Sequence, residues 1–192
     1  MEGARFLAAM ALIPVLAAGD SEAQPVDEIP FVPTPLEVVD RMLEMAEVKK
    51  EDIVYDLGSG DGRIVIRAAK KYGARGVGIE MDPELVEISR AKAEEEHVSH
   101  LVEFRLEDAL KTDVSPATVV TLYMLPWFNT QLRPILQKRL KAGARVVAHD
   151  YGIESWPPNQ VVKLPKIERT PGGYVHQHTL YLWRIGEKSR SP

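Results

Sequence analysis

The sequence predicts an α/β fold in which a mainly parallel, seven-stranded sheet carries helices on both faces. From residue 53 onward, short apolar segments alternate with helical patterns, as in stacked β-α-β units. With 45% apolar and 27% charged residues, a chain of 192 residues can form one domain with its own core. Cysteine is absent, which excludes disulfide scaffolds, thiolate metal sites and thiol catalysis. The net charge of −4, without a long basic run, gives no footprint of nucleic-acid binding.

Residues 1–23 have the pattern of a secretory signal or a membrane-associating leader. A 13-residue apolar run over residues 6–18 follows Arg5 and precedes small residues suited to cleavage. The run is shorter than the ~20 residues that span a bilayer, and a start codon placed too far upstream would also explain it. We exclude this leader from the fold. The remainder divides into a proline-rich linker, one domain and a flexible tail: residues 24–33, 34–186 and 187–192.

The first helix is predicted to begin at a capping box. Thr34 would be the cap, Pro35 would occupy the first helical position, and Glu37 stands three residues after the cap. Apolar residues then follow at helical spacing. Thr34 also lies near the expected entrance of a ligand pocket, so a role in shaping that pocket explains it equally well.

The remaining elements follow from periodicity and from turn residues. Asp82 and Pro83 open one helix, and Gly73 ends another in the position of a C-terminal cap. The predicted helices after the first cover residues 63–72, 82–96 and 130–140. The predicted strands cover residues 53–55, 75–79, 101–106, 118–122, 145–148, 161–164 and 179–184.

A glycine-rich turn, DLGSGDGR at residues 56–63, connects the first strand to the next helix. Its glycines allow a sharp turn that lies directly against a ligand, and the helix N-terminus points to the same place. Arg63 stands where the dinucleotide fingerprint needs its third glycine, and the Walker pattern is absent. A nicotinamide-dependent oxidoreductase is therefore disfavoured, although it stays open.

Acidic residues follow the next two strands, at the sheet edge where such folds bind ligands. Glu80 ends the second strand and can accept hydrogen bonds from both hydroxyls of a ribose. Asp108 ends the third strand region and can accept one from an exocyclic adenine amine. Glu107 is adjacent and could take that role instead. A surface location would also explain each of these acids.

DLGSGDGR and the two acids resemble the motifs of class I S-adenosylmethionine-dependent methyltransferases, which have a Rossmann-like fold. More narrowly, three further segments resemble a family of small protein-lysine methyltransferases. That family includes the mitochondrial enzymes that methylate the c subunit of ATP synthase and the adenine nucleotide translocase. The segments are VPTP at residues 32–35, LYMLP at residues 122–126 and GARVV at residues 143–147. The resemblance covers about residues 31–157 and implies that the domain at residues 34–186 is a methyltransferase domain.

The resemblance assigns roles to individual positions. It implies that the methionine part of the cofactor is held by Asp56, Gly58 and Gly60. It implies that Glu80 takes the ribose hydroxyls and that Asp108 faces the adenine.

By the same resemblance, residues 123–126 line the methyl-transfer channel. Many class I enzymes that act on amide or adenine nitrogens carry Asn/Asp-Pro-Pro-Tyr in that loop, whereas this chain has YMLPW, which disfavours base methylation. The candidate catalytic residues are Tyr123, Pro126 and Trp127. Their apolar surfaces would favour the neutral amine that methyl transfer needs, although Trp127 and Phe128 could simply cover the sheet edge.

Histidines mark the far end of the domain. His149 and Asp150 end the fifth strand and could assist proton removal from the amine, as could water. His176 and His178 share one face of a strand. Two histidines without a third ligand do not predict a metal site.

These observations favour an S-adenosyl-L-methionine-dependent methyltransferase that modifies a protein lysine. Small-molecule and RNA acceptors stay open, as does a non-catalytic exported binding module on the same fold. The leader predicts export or membrane association through residues 6–18, and the family's membrane-associating N-terminal segment resembles it. Cofactor supply favours the cytoplasm instead.

Overall fold

A computed structural model describes residues 31–168 and 175–187. One seven-stranded sheet runs through this part of the chain, in the strand order β3-β2-β1-β4-β5-β7-β6. In chain order the elements are α1 Leu36–Met45, β1 Ile53–Leu57, α2 Arg63–Tyr72, β2 Arg75–Glu80, α3 Pro83–Glu95, β3 Val102–Leu106, β4 Val119–Leu122, α4 Pro126–Arg139, β5 Arg145–His149, β6 Gln160–Glu168 and β7 Val175–Arg184. The neighbours of β7 pair with it in antiparallel fashion, and all other pairs are parallel. The predicted α/β class is confirmed.

Both faces of the sheet are buried, which is why its inner strands are almost wholly apolar. Alternate residues of a strand point to opposite faces. Val54 therefore packs in the layer formed with α1, α2 and α3, while Tyr55 packs in the layer formed with α4. This double cover fixes the strands rigidly and leaves their carboxyl ends as the edge available to a ligand.

Two of the predicted helix boundaries are confirmed in detail. The Asp82 side chain accepts from the backbone N–H groups of Glu84 and Leu85, at 2.8 and 3.4 Å. Gly73 ends α2 with φ +68°, a conformation that favours glycine. Local sequence signals were sufficient here because each cap depends only on neighbouring residues.

The capping box at Thr34 is wrong. Pro35 occupies the cap position of α1, and no side chain caps this helix. The Thr34 hydroxyl instead lies 3.3 Å from Nδ1 of His149, and the residue is buried. A tertiary contact with a residue 115 positions away therefore replaces the local bond.

Three further elements, one helix and two strands, are longer in the structure than the sequence predicted. Helix α4 begins at Pro126 rather than near residue 130, because this proline takes an early helical position where its missing N–H costs nothing. Strands β6 and β7 are longer than predicted, and their ladder is irregular between Lys163 and Lys166. That irregularity breaks the alternation from which strands are recognised in sequence.

The predicted leader, most of the predicted linker and residues 188–192 lie outside the described residues. Within 31–168 and 175–187, none of the helices has the length and apolar character required to cross a membrane.

Candidate functional site

A cleft of about 750 Å³ opens at the carboxyl ends of β1, β2 and β4. This volume is within the range of small-molecule sites, about 300 to 1,000 Å³. Asp108 and Pro126 are not among the residues that line the cleft, whereas most of the sequence-predicted site residues are. Those that line it are Asp56, Gly58, Gly60, Glu80, Tyr123 and Trp127.

The glycine-rich turn forms the floor of the cleft. The backbone N–H groups of Gly58 and Ser59 both donate to the carbonyl of Ile79 at 2.9 Å, which ties the turn to β2. Gly60 has φ +54°, and a Cβ added there would lie 2.3 Å from the Phe31 ring. A side chain at this position would therefore be strained and would displace Phe31 from the cleft.

Glu80 is held at the rim by backbone donors. Its Oε2 accepts from the N–H of Gly60 at 2.8 Å, and its Oε1 accepts from Met81 and Asp82 at 2.8 and 3.1 Å. A carboxylate has about four lone-pair positions, so Glu80 keeps capacity for further donors from a ligand. The vicinal hydroxyls of a ribose are donors of this kind.

Asp56 is fully buried at the base of the cleft. The hydroxyl of Thr121, its register partner on β4, donates to Oδ1 at 2.7 Å. Burial raises the pKa of Asp56 to about 7, and the negative charges of Glu80 and Asp61 act in the same direction. No sequence pattern pointed to Thr121, because that contact depends on the pairing of two strands 65 residues apart.

We expect Asp56 to make the stability of the ligand-free protein depend on pH. Its pKa is higher in the folded state than the ordinary 3.8, so its contribution is present at acidic pH and lost as the pH rises through 7. Between pH 5 and 8 the unfolding free energy of the wild type should fall by about 2 to 3 kcal/mol relative to Asp56→Asn. Urea unfolding at both pH values measures this difference.

The exposed acid Glu51 provides the control for that experiment. Glu51→Gln should follow the wild-type pH profile, because this side chain lies in a solvent-exposed turn before β1. Parallel pH profiles for Asp56→Asn and the wild type would contradict the raised pKa.

Arg63 explains the departure from the dinucleotide fingerprint. Its guanidinium donates to both carboxylate oxygens of Asp61, at 2.8 and 2.7 Å, and to the carbonyl of Thr34 at 2.9 Å. Burial alone would raise the pKa of Asp61, but the bonds with Arg63 and Lys92 lower it to about 2. Arg63 thus fastens residues 31–34, which line the cleft, to the glycine-rich turn. Sequence reasoning used this arginine only to exclude a nucleotide motif.

At the β3 end of the cleft the lining residues are Glu107 and Ala109. The carboxylate of Asp108 instead accepts from the backbone N–H of Leu110 at 2.9 Å and lies 3.1 Å from Nζ of Lys111. The role of Asp108 toward adenine stays a prediction. Of the two adjacent acids, Glu107 is the one on the cleft wall.

Aromatic residues form the opposite wall. Trp127 is 48% exposed and packs edge-to-face on Phe128, with ring centroids 5.5 Å apart. The Tyr123 ring lies 4.0 Å from the ring of His149 and stacks on Tyr151 at 6.2 Å. Pro126 begins α4 and sets the direction of the helix that carries Trp127.

The geometry fits S-adenosylmethionine. A glycine-rich floor, a carboxylate with free acceptor capacity at the tip of β2 and a cleft of suitable volume are the elements that an adenosyl compound requires. Comparisons with known proteins agree. Residues 56–160 match the model of the ANTKMT methyltransferase domain.

A protein-lysine N-methyltransferase of Saccharolobus islandicus is 43% identical over 163 residues, which are 84% of this chain and 97% of that protein. The human lysine N-methyltransferase named for the C subunit of ATP synthase is 37% identical over 69% of this chain, which spans 56% of the human protein. A crystal structure from Salinibacter ruber, described as an RNA methyltransferase with S-adenosyl-L-homocysteine, has a TM-score of 0.74 and 52% identity. The superposition covers 84% of this chain and 98% of the Salinibacter chain.

Fold, site and relatives together define an S-adenosylmethionine-dependent methyltransferase with a Rossmann-like sheet. Within that class, the chain belongs to the ANTKMT methyltransferase family. The resemblance seen in the sequence is confirmed.

Proposed function

We propose that this methyltransferase modifies the ε-amino group of a lysine in a protein substrate. The observation that carries the proposal is the aromatic wall of Tyr123 and Trp127, which lines the same cleft as Asp56 and Glu80. The Saccharolobus relative, named a protein-lysine N-methyltransferase and matched over 97% of its length, supports it.

The cofactor half of the cleft would hold S-adenosylmethionine through groups already in place. Glu80 would accept from the ribose hydroxyls, and Glu107 or Asp108 would face the adenine amine. Asp56 and the backbone at Gly58 and Gly60 would hold the methionine part. When bound, the cofactor supplies an activated sulfonium methyl group, which passes to the amine nitrogen as the C–S bond breaks and the nitrogen loses a proton.

The acceptor half would prepare the lysine. Tyr123 and Trp127 present ring surfaces that exclude water and so favour the neutral, nucleophilic amine. The same rings can hold a methylated ammonium by cation–π contact. His149 is fully buried behind the Tyr123 ring and does not line the cleft, so water is the better-supported acceptor of the released proton.

RNA is the second candidate acceptor, because the 52% identical Salinibacter protein is described as an RNA methyltransferase. The charge of the cleft argues against it. Of the described residues that line the cleft, five are acidic and one is basic, and that one is Arg63, already paired with Asp61. The acids lie on the cofactor side, and the described lining residues therefore offer no unpaired cation that could bind the phosphates of an RNA acceptor.

Labelled methyl groups distinguish the two acceptors. We would incubate the purified chain with S-adenosylmethionine carrying a deuterated methyl group, separately with the soluble protein, membrane protein and total RNA fractions of its source cells. We expect deuterated methyl-lysine in protein hydrolysates, identified by mass spectrometry. Glu80→Ala serves as the inactive control. Label confined to nucleosides, or absent from every fraction, would contradict the proposal.

A further inference from the structure

Beside the cleft, side chains from the ends of two neighbouring strands meet around one carboxylate oxygen. His149 and Asp150 lie at the end of β5, and His176 and His178 lie on the antiparallel strand β7. Oδ2 of Asp150 lies 3.2 Å from Nε2 of His149, 3.2 Å from Nδ1 of His178 and 3.3 Å from Nε2 of His176. In the sequence these residues stand only as two separate pairs.

The spacing of three of these atoms suits a metal ion. Nε2 of His149 and Nδ1 of His178 are 2.8 Å apart, and each is 3.2 Å from Oδ2 of Asp150. Zinc binds nitrogen at about 2.0 to 2.1 Å in tetrahedral geometry, which separates neighbouring ligand atoms by about 3.3 Å. One ion placed to one side of this triangle would therefore reach all three atoms with only small shifts.

Hydrogen bonds alone account poorly for the cluster. His178 is fully buried, and its Nε2 has no hydrogen-bond partner. A buried polar atom without a partner is costly, and an aliphatic side chain would fill the same space without that cost. At the other ring nitrogen, Nδ1, the contacts with Nε2 of His149 and with Oδ2 of Asp150 form a closed triangle that two protons cannot satisfy on all three sides, whereas a cation bound by all three atoms would.

The backbone prepares Asp150 for this role. The Thr179 N–H donates to Oδ1 of Asp150 at 2.9 Å, and the Asp150 N–H donates to the Thr179 carbonyl at 2.7 Å. Asp150 also has φ +58°, a left-handed backbone conformation that is uncommon outside glycine but that aspartate adopts more readily than most residues. The first of these bonds engages Oδ1 of the carboxylate and leaves Oδ2 aimed at the imidazoles, as outer partners of metal ligands commonly do, while the second fixes the backbone of Asp150 to β7.

We propose that His149, Asp150 and His178 bind one divalent transition-metal ion of the zinc type. The fourth position would be taken by water or by His176. An ion can enter from solvent, since the side chains of Asp150 and His176 are 11% and 44% exposed.

The ion would have a positioning role. It would join β5 to β7 and fix the His149 ring, which packs against Tyr123 on one side and contacts the Thr34 hydroxyl on the other. The ligands do not line the cleft, so the ion would hold the acceptor wall in place without touching either substrate. Metal binding is independent of the identity of the methyl acceptor.

The test is a Zn²⁺ titration of the full-length, chelator-stripped protein in competition with a chromophoric chelator. We expect one equivalent to bind with a dissociation constant below about 1 μM. Asp150→Asn should weaken binding at least tenfold, and so should His178→Gln. Asp150→Asn retains an oxygen for the Thr179 N–H, so its fold should persist.

The chain offers a matched control. It has no cysteine and five histidines, of which His97 and His100 are exposed and outside the cluster. The double variant His97→Gln/His100→Gln should bind zinc as the wild type does. When cobalt replaces zinc, the wild type should show the visible absorption of a tetrahedral site. Asp150→Asn and His178→Gln should not show it. Absence of stoichiometric zinc binding, or equal affinity in the cluster variants, would overturn the proposal.

Discussion

Glu80→Ala is expected to weaken S-adenosylmethionine binding about a hundredfold while the protein stays folded. The substitution removes the carboxylate proposed to accept both ribose hydroxyls. Hydrogen bonds to a charged group contribute about 1.5 to 3 kcal/mol each, and water recovers part of that loss in the variant. The substitution also leaves the N–H of Gly60 without its acceptor, since in the wild type this group donates to Oε2 of Glu80 at 2.8 Å. The glycine-rich turn therefore loses an anchor.

Isothermal titration with the cofactor and with S-adenosylhomocysteine measures this effect. Both ligands should lose affinity to the same extent, because they share the ribose. Glu51→Ala removes an exposed acid at the opposite end of β1 and should bind like the wild type. If Glu80→Ala bound both ligands with wild-type affinity, the assignment of Glu80 to the cofactor site would be wrong.

Gly60→Val should abolish measurable cofactor binding. The backbone at Gly60 has φ +54°, and a Cβ would lie 2.3 Å from the Phe31 ring. A β-branched residue is especially unfavourable at positive φ, at a cost of about 1 to 3 kcal/mol in stability. The turn and Phe31 cannot both keep their positions, so the floor of the cleft changes shape.

A substitution at Gly143 is the control that separates backbone strain at positive φ from a change in the shape of the cleft. It has φ +85°, and a Cβ there would meet nothing within 4 Å. Gly143→Val should therefore lose stability by a similar amount yet bind the cofactor normally. If titration gives equal affinities for the two variants, the close packing of the turn has no part in binding.

The sequence was a good guide wherever the determining contacts are local. The helix caps at Asp82 and Gly73 and the glycine-rich turn all depend on neighbouring residues, and the fold places them as predicted. The acid at the tip of β2 was also predictable, because the carboxyl ends of parallel strands share one edge.

The features that escaped prediction join distant parts of the chain. The sequence around Thr34 matches a capping box, but the Thr34 hydroxyl contacts His149, 115 positions away. Arg63 reaches the carbonyl of Thr34 across 29 positions. The pairing of β5 with β7 brings His149 and His178 together. Such contacts follow from strand order and loop paths, which periodicity alone does not encode.

Thr34 engages both halves of the cleft at once. Its carbonyl accepts from Arg63 on the cofactor side, while its hydroxyl contacts His149 behind the acceptor wall. A movement of residues 31–34 that displaced Thr34 would break both contacts at this single residue. The glycine-rich turn that Arg63 anchors and the stack of the His149 ring on Tyr123 would therefore loosen together.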